Sequence, residues 1–223
     1  MVASNPPWLP PTQIAENYPK KTIVQLQKEK DTMWKTLKSI LSKRDSQRSN
    51  IDSDLPKTPM TAQDFRKRLE AGERRFERLL LANIDLRGLD LTNLVLTDSE
   101  LIGCDLSYTC LLYANFSRSI LDFSNAKHVF AEGSNFSEAS LVGCNLSQAY
   151  AAHVNFSNAN LSQSNFTWAD LRGANLADAN LSQVNLATAN LDGANLENTA
   201  GKNMYLKMLR LSVGSSVIRR KSR

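Results

Sequence analysis

The sequence predicts an all-β solenoid with a helical cap at each end. Leu or Phe occupies 22 of the 25 positions that recur every five residues from Phe76 to Leu196. The residue before each of these centres is Asn or Asp in 16 of the 25 cases, and the residue two before is mostly small. Charge divides along the chain, with +6 over residues 1–75, −8 over 76–198 and +7 over 199–223. An acidic repeat region therefore lies between two basic segments.

The five-residue period excludes an ordinary helix or strand. On an α-helix, five residues turn through about 500°, so the central side chains would drift around the whole surface. On a flat strand, an odd step sends successive centres to opposite faces. All the centres are buried together only if the backbone turns a corner once per repeat and coils around a common axis. This is a solenoid, in which each coil packs on its neighbours.

Units such as ANLSQ, ANLAD and ANLDG closely resemble those of the pentapeptide-repeat family, and the closest resemblance is to its cyanobacterial members. The resemblance covers residues 76–198 without a break in phase. It implies a right-handed quadrilateral β-helix with four repeats per coil and about six coils. At the usual inter-strand spacing, such a rod would be ~30 Å long.

The ends of such a rod need covering, because they expose unpaired backbone and apolar side chains. Within residues 61–75, a capping box at Thr61 and the apolar pair Phe65 and Leu69 predict an N-terminal cap helix over 62–71, stopped by Gly72. Residues 199–223 are predicted to form a C-terminal cap helix and a basic tail. Its apolar stretch 204–211 has two interpretations, a plug over the last coil or a homodimer contact.

Residues 1–60 are predicted to form a flexible basic arm, proline-rich at its start. Over residues 21–44, apolar side chains recur at mostly helical spacing with lysines opposite them, which indicates a basic amphipathic helix. Such a helix suits an anionic membrane surface, a partner's groove or the rod itself. The residues assigned to this attachment helix are Lys28, Met33, Trp34, Lys35, Leu37, Lys38 and Leu41.

The sequence offers no set of residues typical of an enzyme or a cofactor site. A rod filled by Leu and Phe has no pocket for convergent catalytic groups, so we expect neither a catalytic residue, a metal nor a cofactor. His128 and His153 are expected to be ordinary surface histidines. Cys104 and Cys144 fall at the inward small position two coils apart, too far for a disulfide, and are expected to fill the core. The N-terminal residues lack the features of a secretion signal, which favours a cytoplasmic protein, peripheral to a membrane if the arm binds one.

A partner site is expected among the outward positions, because packing fixes the inward ones. With four repeats per coil, repeats that are twenty residues apart lie on the same face, which gives four faces. Two of these faces carry mainly Asn, Asp, Ser and Thr at their outward positions. A third face is unusual because its centres include Ala131 and Ala151 and its outward positions are aromatic or apolar. Its candidate partner-binding residues are Tyr108, Cys110, Leu112, Tyr113, His128, Phe130, Tyr150, His153 and Trp168.

Two alternatives stay open for this region. Phe130 and Tyr150 either point outward and form a binding patch, or turn inward to fill the space beside Ala131 and Ala151. The fourth face carries a weaker apolar set, which the amphipathic helix of residues 21–44 is suited to cover. These residues are Ile102, Ile120, Phe123 and Val142.

Three functions remain as hypotheses. The first is a non-enzymatic scaffold that binds another protein through the aromatic face. The second, implied by the family resemblance, is mimicry of DNA to inhibit an enzyme such as gyrase, although −8 over the repeats is well below the roughly 18 charges of a comparable length of duplex. The third is attachment to a membrane or nucleic acid through the basic ends.

Overall fold

The computed structural model describes residues 58–201, which fold as one continuous β-helix. Parallel backbone bridges join each residue before a repeat centre to the residue twenty positions later, from Arg75 with Val95 to Asn180 with Ala200. One coil is therefore four repeats. The offset of twenty never changes, so no insertion interrupts the coils, as the unbroken repeat phase predicted.

Each backbone N–H group of a consensus repeat such as 155–159 has a partner, which explains why so short a unit can be repeated. In the repeat 155–159, the N–H groups of the first two residues donate to Ser134 O at 2.9 Å and to Asn175 O at 2.7 Å. The N–H group of the third donates to Asn155 Oδ1 at 3.1 Å, and those of the last two donate to Ala177 O at 2.9 Å and Phe156 O at 3.0 Å. Four of these bonds are to backbone, and the remaining one is to the Asn side chain before the centre. The frequent Asn or Asp at that position thus closes the turn of its own repeat.

The asparagines also bond along the rod. In the column that contains Asn155, each side-chain Nδ2 donates to the Oδ1 one coil earlier, at 3.1 Å from Asn155 to Asn135 and 3.2 Å from Asn175 to Asn155. The asparagine side chains of this column thus form an amide ladder. Such ladders satisfy the polar groups between coils and hold neighbouring coils in register.

The central Leu and Phe side chains fill the interior. Phe116, Phe136 and Phe156 stack in one column, with ring centroids 5.1 and 5.4 Å apart. The neighbouring column has Ala131 and Ala151 at its centres, both fully buried. The size of the central side chains therefore varies from coil to coil, while all of them stay buried.

The small residues two before each centre also face inward. Most of those that carry a donor bond a backbone carbonyl of the preceding coil, as Ser124 Oγ does with Leu101 O at 2.7 Å. Cys104 and Cys144 behave alike, with Sγ 3.2 Å from Leu81 O and 3.0 Å from Leu121 O. Both thiols are free and buried, so the prediction that these cysteines fill the core is confirmed.

The described chain begins with a short strand and a helix that cover the first coil. Strand β1 (Thr58–Pro59) pairs in parallel with β2 (Leu79–Leu80). Between them, α1 (Ala62–Glu70) starts at Thr61, whose Oγ1 accepts the Asp64 N–H at 3.1 Å. Phe65 and Leu69 of α1 are buried, and the Phe65 ring lies 5.0 Å from that of Phe76, the first repeat centre.

The helix ends through a change of backbone direction at Gly72. The Gly72 N–H donates to Leu69 O at 2.9 Å and the Glu73 N–H to Arg68 O at 3.0 Å, while Gly72 adopts φ +87°. A residue with a side chain rarely adopts this φ, so glycine suits the position. The expected arm (1–60, but for its last three residues), its amphipathic helix over 21–44 and the C-terminal helix over 204–211 lie outside the described residues. Within 58–201, no helix combines the length and apolarity needed to cross a membrane.

Candidate partner-binding face

The structure brings the predicted partner-binding residues onto one face and its two corners. Bridges join Cys110 to Phe130, Phe130 to Tyr150 and Tyr150 to Asp170, so these residues form one column. Tyr108, His128 and Trp168 occupy the corner before this column, and Tyr113 and His153 the corner after it. We call this surface the aromatic face and define it by Tyr108, Leu112, Tyr113, His128, Phe130, Tyr150, His153 and Trp168.

Phe130 and Tyr150 point outward. Their rings are stacked with centroids 5.0 Å apart and planes 4° from parallel, and Tyr150 is 53% exposed. The centres that follow them, Ala131 and Ala151, remain buried in the interior. The alternative in which the two aromatic rings turn inward is therefore wrong.

The corner side chains lie along the rod axis over the next coil. Tyr108 stacks on His128, with ring centroids 4.8 Å apart. The Tyr113 ring lies over Gly133, where a Cβ atom would come within 2.6 Å of the ring carbons, and His153 lies over Gly173 in the same way. Glycine at 133 and 173 thus makes room for these rings.

Exposure separates the residues that a partner would touch from those that support them. Tyr113, Tyr150 and Trp168 are 64%, 53% and 66% exposed, and they are the large apolar side chains that the described residues expose. Cys110 is only 7% exposed and its Sγ lies 3.2 Å from Thr92 Oγ1. Its inclusion among the contact residues was wrong, because Phe130 and the flanking corners cover it.

The histidines of the aromatic face differ from each other. His153 is exposed, whereas His128 is half-buried against Tyr108. Burial, helped by the neighbouring Lys127, lowers the pKa of His128 below its ordinary value. His128 is therefore neutral near pH 7 and stacks as an aromatic ring, so it is not the ordinary exposed histidine that we expected.

The charged groups of the face are partly neutralised. Arg172 donates to both carboxylate oxygens of Asp170, and this pairing lowers the pKa of Asp170. Glu132 is exposed beside the corner that carries Tyr113 and His153, in the coil between these two residues. The face therefore combines aromatic rings with a modest negative charge.

The role of Gly133 and Gly173 was missed in the sequence. A detectable signal exists, because each glycine follows an aromatic corner residue by the length of one coil, as in Tyr113 and Gly133 or His153 and Gly173. A search for such pairs twenty residues apart would have found them. It would also have found Phe123 and Gly143 on another corner.

The described residues contain no group of three His, Cys, Asp or Glu side chains placed to hold a metal ion. Burial raises the pKa of Cys104 to about 11 and that of Cys144 further, which keeps both thiols protonated. The described residues form a surface instead, which is a row of aromatic rings on a rigid backbone. The protein is therefore a β-solenoid of five-residue repeats that carries an aromatic face.

Two protein-family models match the repeat region of this solenoid. The family model described as a pentapeptide repeat region matches residues 122–196, and that described as pentapeptide repeats (8 copies) matches residues 80–111 and 99–137. Together the matches cover just over half of the chain, and the chain belongs to the pentapeptide-repeat family. The fold of this family is a right-handed β-helix, as the resemblance implied.

No curated protein matches the chain. Among solved structures, the chain is similar to HetL, a pentapeptide repeat protein involved in heterocyst differentiation regulation from the cyanobacterium Nostoc sp. strain PCC 7120, with 24% identity over 70% of this chain and 99% of HetL and a TM-score of 0.31. It is also similar to Rfr23 from the cyanobacterium Cyanothece 51142, with 22% identity over 70% and 98% of the two chains and a TM-score of 0.26. Full-length QnrB1, a plasmid-mediated fluoroquinolone resistance protein, shows 18% identity over 62% and 84% and a TM-score of 0.25.

Proposed function

We propose that this protein is a non-enzymatic scaffold that binds another protein through the aromatic face. The observation that carries the proposal is the position of Tyr113, Tyr150 and Trp168, the exposed large apolar side chains of residues 58–201, all on one face or its corners. Aromatic residues are enriched in protein interfaces and supply much of their binding energy. Exposed apolar side chains gathered on one side of a soluble fold mark a partner site.

The face is also well prepared for binding. Its column residues are held by bridges on both sides, and Tyr113 and His153 rest on glycines, so the rings lose little freedom when a partner binds. Aromatic side chains fixed in this way contribute contact area at a low entropic cost. A rigid rod thus presents a nearly preformed surface to its partner.

The charge pattern favours this function over mimicry of DNA. Asp85, Asp98 and Asp170 are each bonded by an arginine, at 2.6, 2.7 and 2.7 Å. A mimic needs dense unpaired negative charge along its length, near one charge per ~1.7 Å as in duplex DNA. Neutralised carboxylates beside exposed aromatic rings suit a protein partner better.

A paired replacement of Phe130 and Tyr150 by asparagine tests the proposal. Asparagine is the residue that this column carries at 190 and that the repeats carry most often, so Phe130→Asn and Tyr150→Asn should leave the rod folded. A matched control is Val95→Asn, which makes the same kind of change at the same repeat position on a neighbouring face.

The measurement is capture of partners from the native cells, with far-UV circular dichroism to confirm folding. We expect a protein retained by the unmodified chain and by Val95→Asn but lost from the double variant, because its contact rings are gone. Equal retention by all three proteins would contradict the proposal.

A further inference from the structure

A second apolar surface lies on another side of the rod. Ile102 and Ile120 pack together with Phe123, and Val142 follows one coil further on. We call these four residues the isoleucine face. The two isoleucines occupy outward positions, yet each is only 5% exposed, whereas Asn160 in the column of Ile120 is half-buried. Outward positions of this rod are mainly polar, so two large aliphatic side chains side by side at such positions make this face a candidate for a covering segment.

The N-terminal chain enters the fold on this face. Strand β1 pairs with Leu79 and Leu80, Leu80 bridges to Glu100, and Glu100 bridges to Ile120. Whatever precedes Thr58 therefore starts from the column of Ile120, three coil spacings or ~14 Å away. The linker of residues 45–57 can span ~40 Å when extended, so the segment before it reaches the isoleucine face easily.

The apolar pattern of residues 21–44 matches this surface in width and length. At 100° per residue, the apolar side chains of residues 33–41 fall within an arc of roughly 120°, the width that a buried helix face needs, and Lys35 and Lys38 lie outside this arc. The densest part, residues 33–41, would be ~12 Å long as a helix. The isoleucine face extends over two coil spacings, or ~10 Å, from Ile102 to Val142. The apolar side chains of this part are Met33, Trp34, Leu37, Ile40 and Leu41.

Charge favours the same arrangement. Residues 21–44 contain seven basic and two acidic side chains. The isoleucine face carries Glu100, and exposed Glu138 lies at its corner. Buried Asp122 accepts the Ser140 hydroxyl at 2.6 Å and the Val142 N–H at 3.0 Å, which fixes the backbone of the face. The lysines on the helix borders would therefore meet these carboxylates, beside an Arg118 side chain that is already paired with Asp98.

We propose that residues 21–44 pack as an amphipathic helix on the isoleucine face of their own rod, with Trp34 in the contact. The contact covers one apolar surface within the molecule and leaves the aromatic face free. It goes beyond the proposed function and uses a different face, so either proposal can fail without the other.

A chain with Trp34 as its only tryptophan tests this contact. Trp8→Phe and Trp168→Phe provide this background, and Ile102→Ser with Ile120→Asn removes the apolar surface. Ser162 occupies the position of Ile102 three coils on, and Asn160 occupies the position of Ile120 two coils on, so these changes fit the repeat. Val95→Asn again serves as the control on a neighbouring face, and far-UV circular dichroism confirms that each variant is folded.

We expect Trp34 emission to be blue-shifted and poorly quenched by acrylamide in the background chain and in Val95→Asn. In the Ile102→Ser, Ile120→Asn variant, emission should shift to the red, and tryptic cleavage at Lys35 and Lys38 should become about tenfold faster, which corresponds to ~1.4 kcal/mol of lost docking energy. Both effects should be independent of protein concentration.

Three results would overturn the proposal. The first is fully solvent-exposed Trp34 in the background chain. The second is protection that disappears on dilution, which would assign the contact to a second copy. The third is a blue shift that requires vesicles containing anionic lipid, which would assign the segment to a membrane surface.

Discussion

Loss of one asparagine from the middle of a ladder should weaken the rod by a predictable amount. Asn155 makes three side-chain hydrogen bonds: its Oδ1 accepts the Ser157 N–H at 3.1 Å and Asn175 Nδ2 at 3.2 Å, and its Nδ2 donates to Asn135 Oδ1 at 3.1 Å. A typical bond contributes ~1 kcal/mol net, so Asn155→Ala should cost about 3 kcal/mol.

Two matched variants show how much of this loss of stability comes from each kind of hydrogen bond. Asn155→Asp keeps the acceptor and loses the donor, an arrangement that the chain itself uses at Asp105, whose Oδ1 accepts the Ser107 N–H at 3.0 Å and Asn125 Nδ2 at 3.1 Å. It should cost about 1 kcal/mol. Asn195→Ala, at the exposed end of the same ladder, loses two bonds that water can replace and should cost about 1 kcal/mol or less.

The assay is urea unfolding followed by far-UV circular dichroism, with the free energy of unfolding compared at a constant denaturant slope. The expected order of stability is unmodified chain first, then the two mild variants, then Asn155→Ala. If Asn155→Ala stays within ~0.5 kcal/mol of the unmodified chain, or equals Asn195→Ala, the ladder does not hold the coils together as argued.

Three further predictions follow from the same structure. Cys104, whose pKa is about 11, and Cys144 should react with a thiol reagent at pH 8 only after the protein unfolds; fast reaction of the native protein would contradict their burial. Gly133→Ala should push the Tyr113 ring away, because the new Cβ would lie 2.6 Å from it, and should weaken partner capture while the circular dichroism spectrum is kept; unchanged capture would exclude Tyr113 from the contact. The pKa of His128 is lowered on folding, so the unfolded chain binds more protons than the folded one below about pH 6.5, and the free energy of unfolding should fall as pH falls through this region. His128→Gln should reduce this dependence of stability on pH. An unchanged dependence would show that other groups cause it.

The β-helix was predictable because one local rule is repeated 25 times. A leucine at every fifth position has few ways to be buried, and the period alone selects coils of a solenoid. The cysteines followed from the same rule, because Cys104 and Cys144 stand where the repeat places small inward residues. These predictions needed only the phase of the repeat.

The direction of Phe130 and Tyr150 was harder to predict because it depends on contacts between coils. The small centres Ala131 and Ala151 made an inward turn of these rings conceivable, whereas the structure stacks the two rings on each other at the surface. The burial of Cys110 has a similar origin, since its outward position is covered by residues one coil away. Such contacts join residues twenty positions apart in adjacent coils, and a reading of one repeat at a time does not contain them.

The most direct test of the central proposal is photo-cross-linking in the native cells with a benzophenone amino acid at one position of the rod. At Tyr150, where the side chain is 53% exposed, the probe should form a specific cross-link to a partner protein. At Val95, on the neighbouring face, it should form none. Cross-links of equal yield at the two positions, or none at Tyr150, would contradict the assignment of partner binding to the aromatic face.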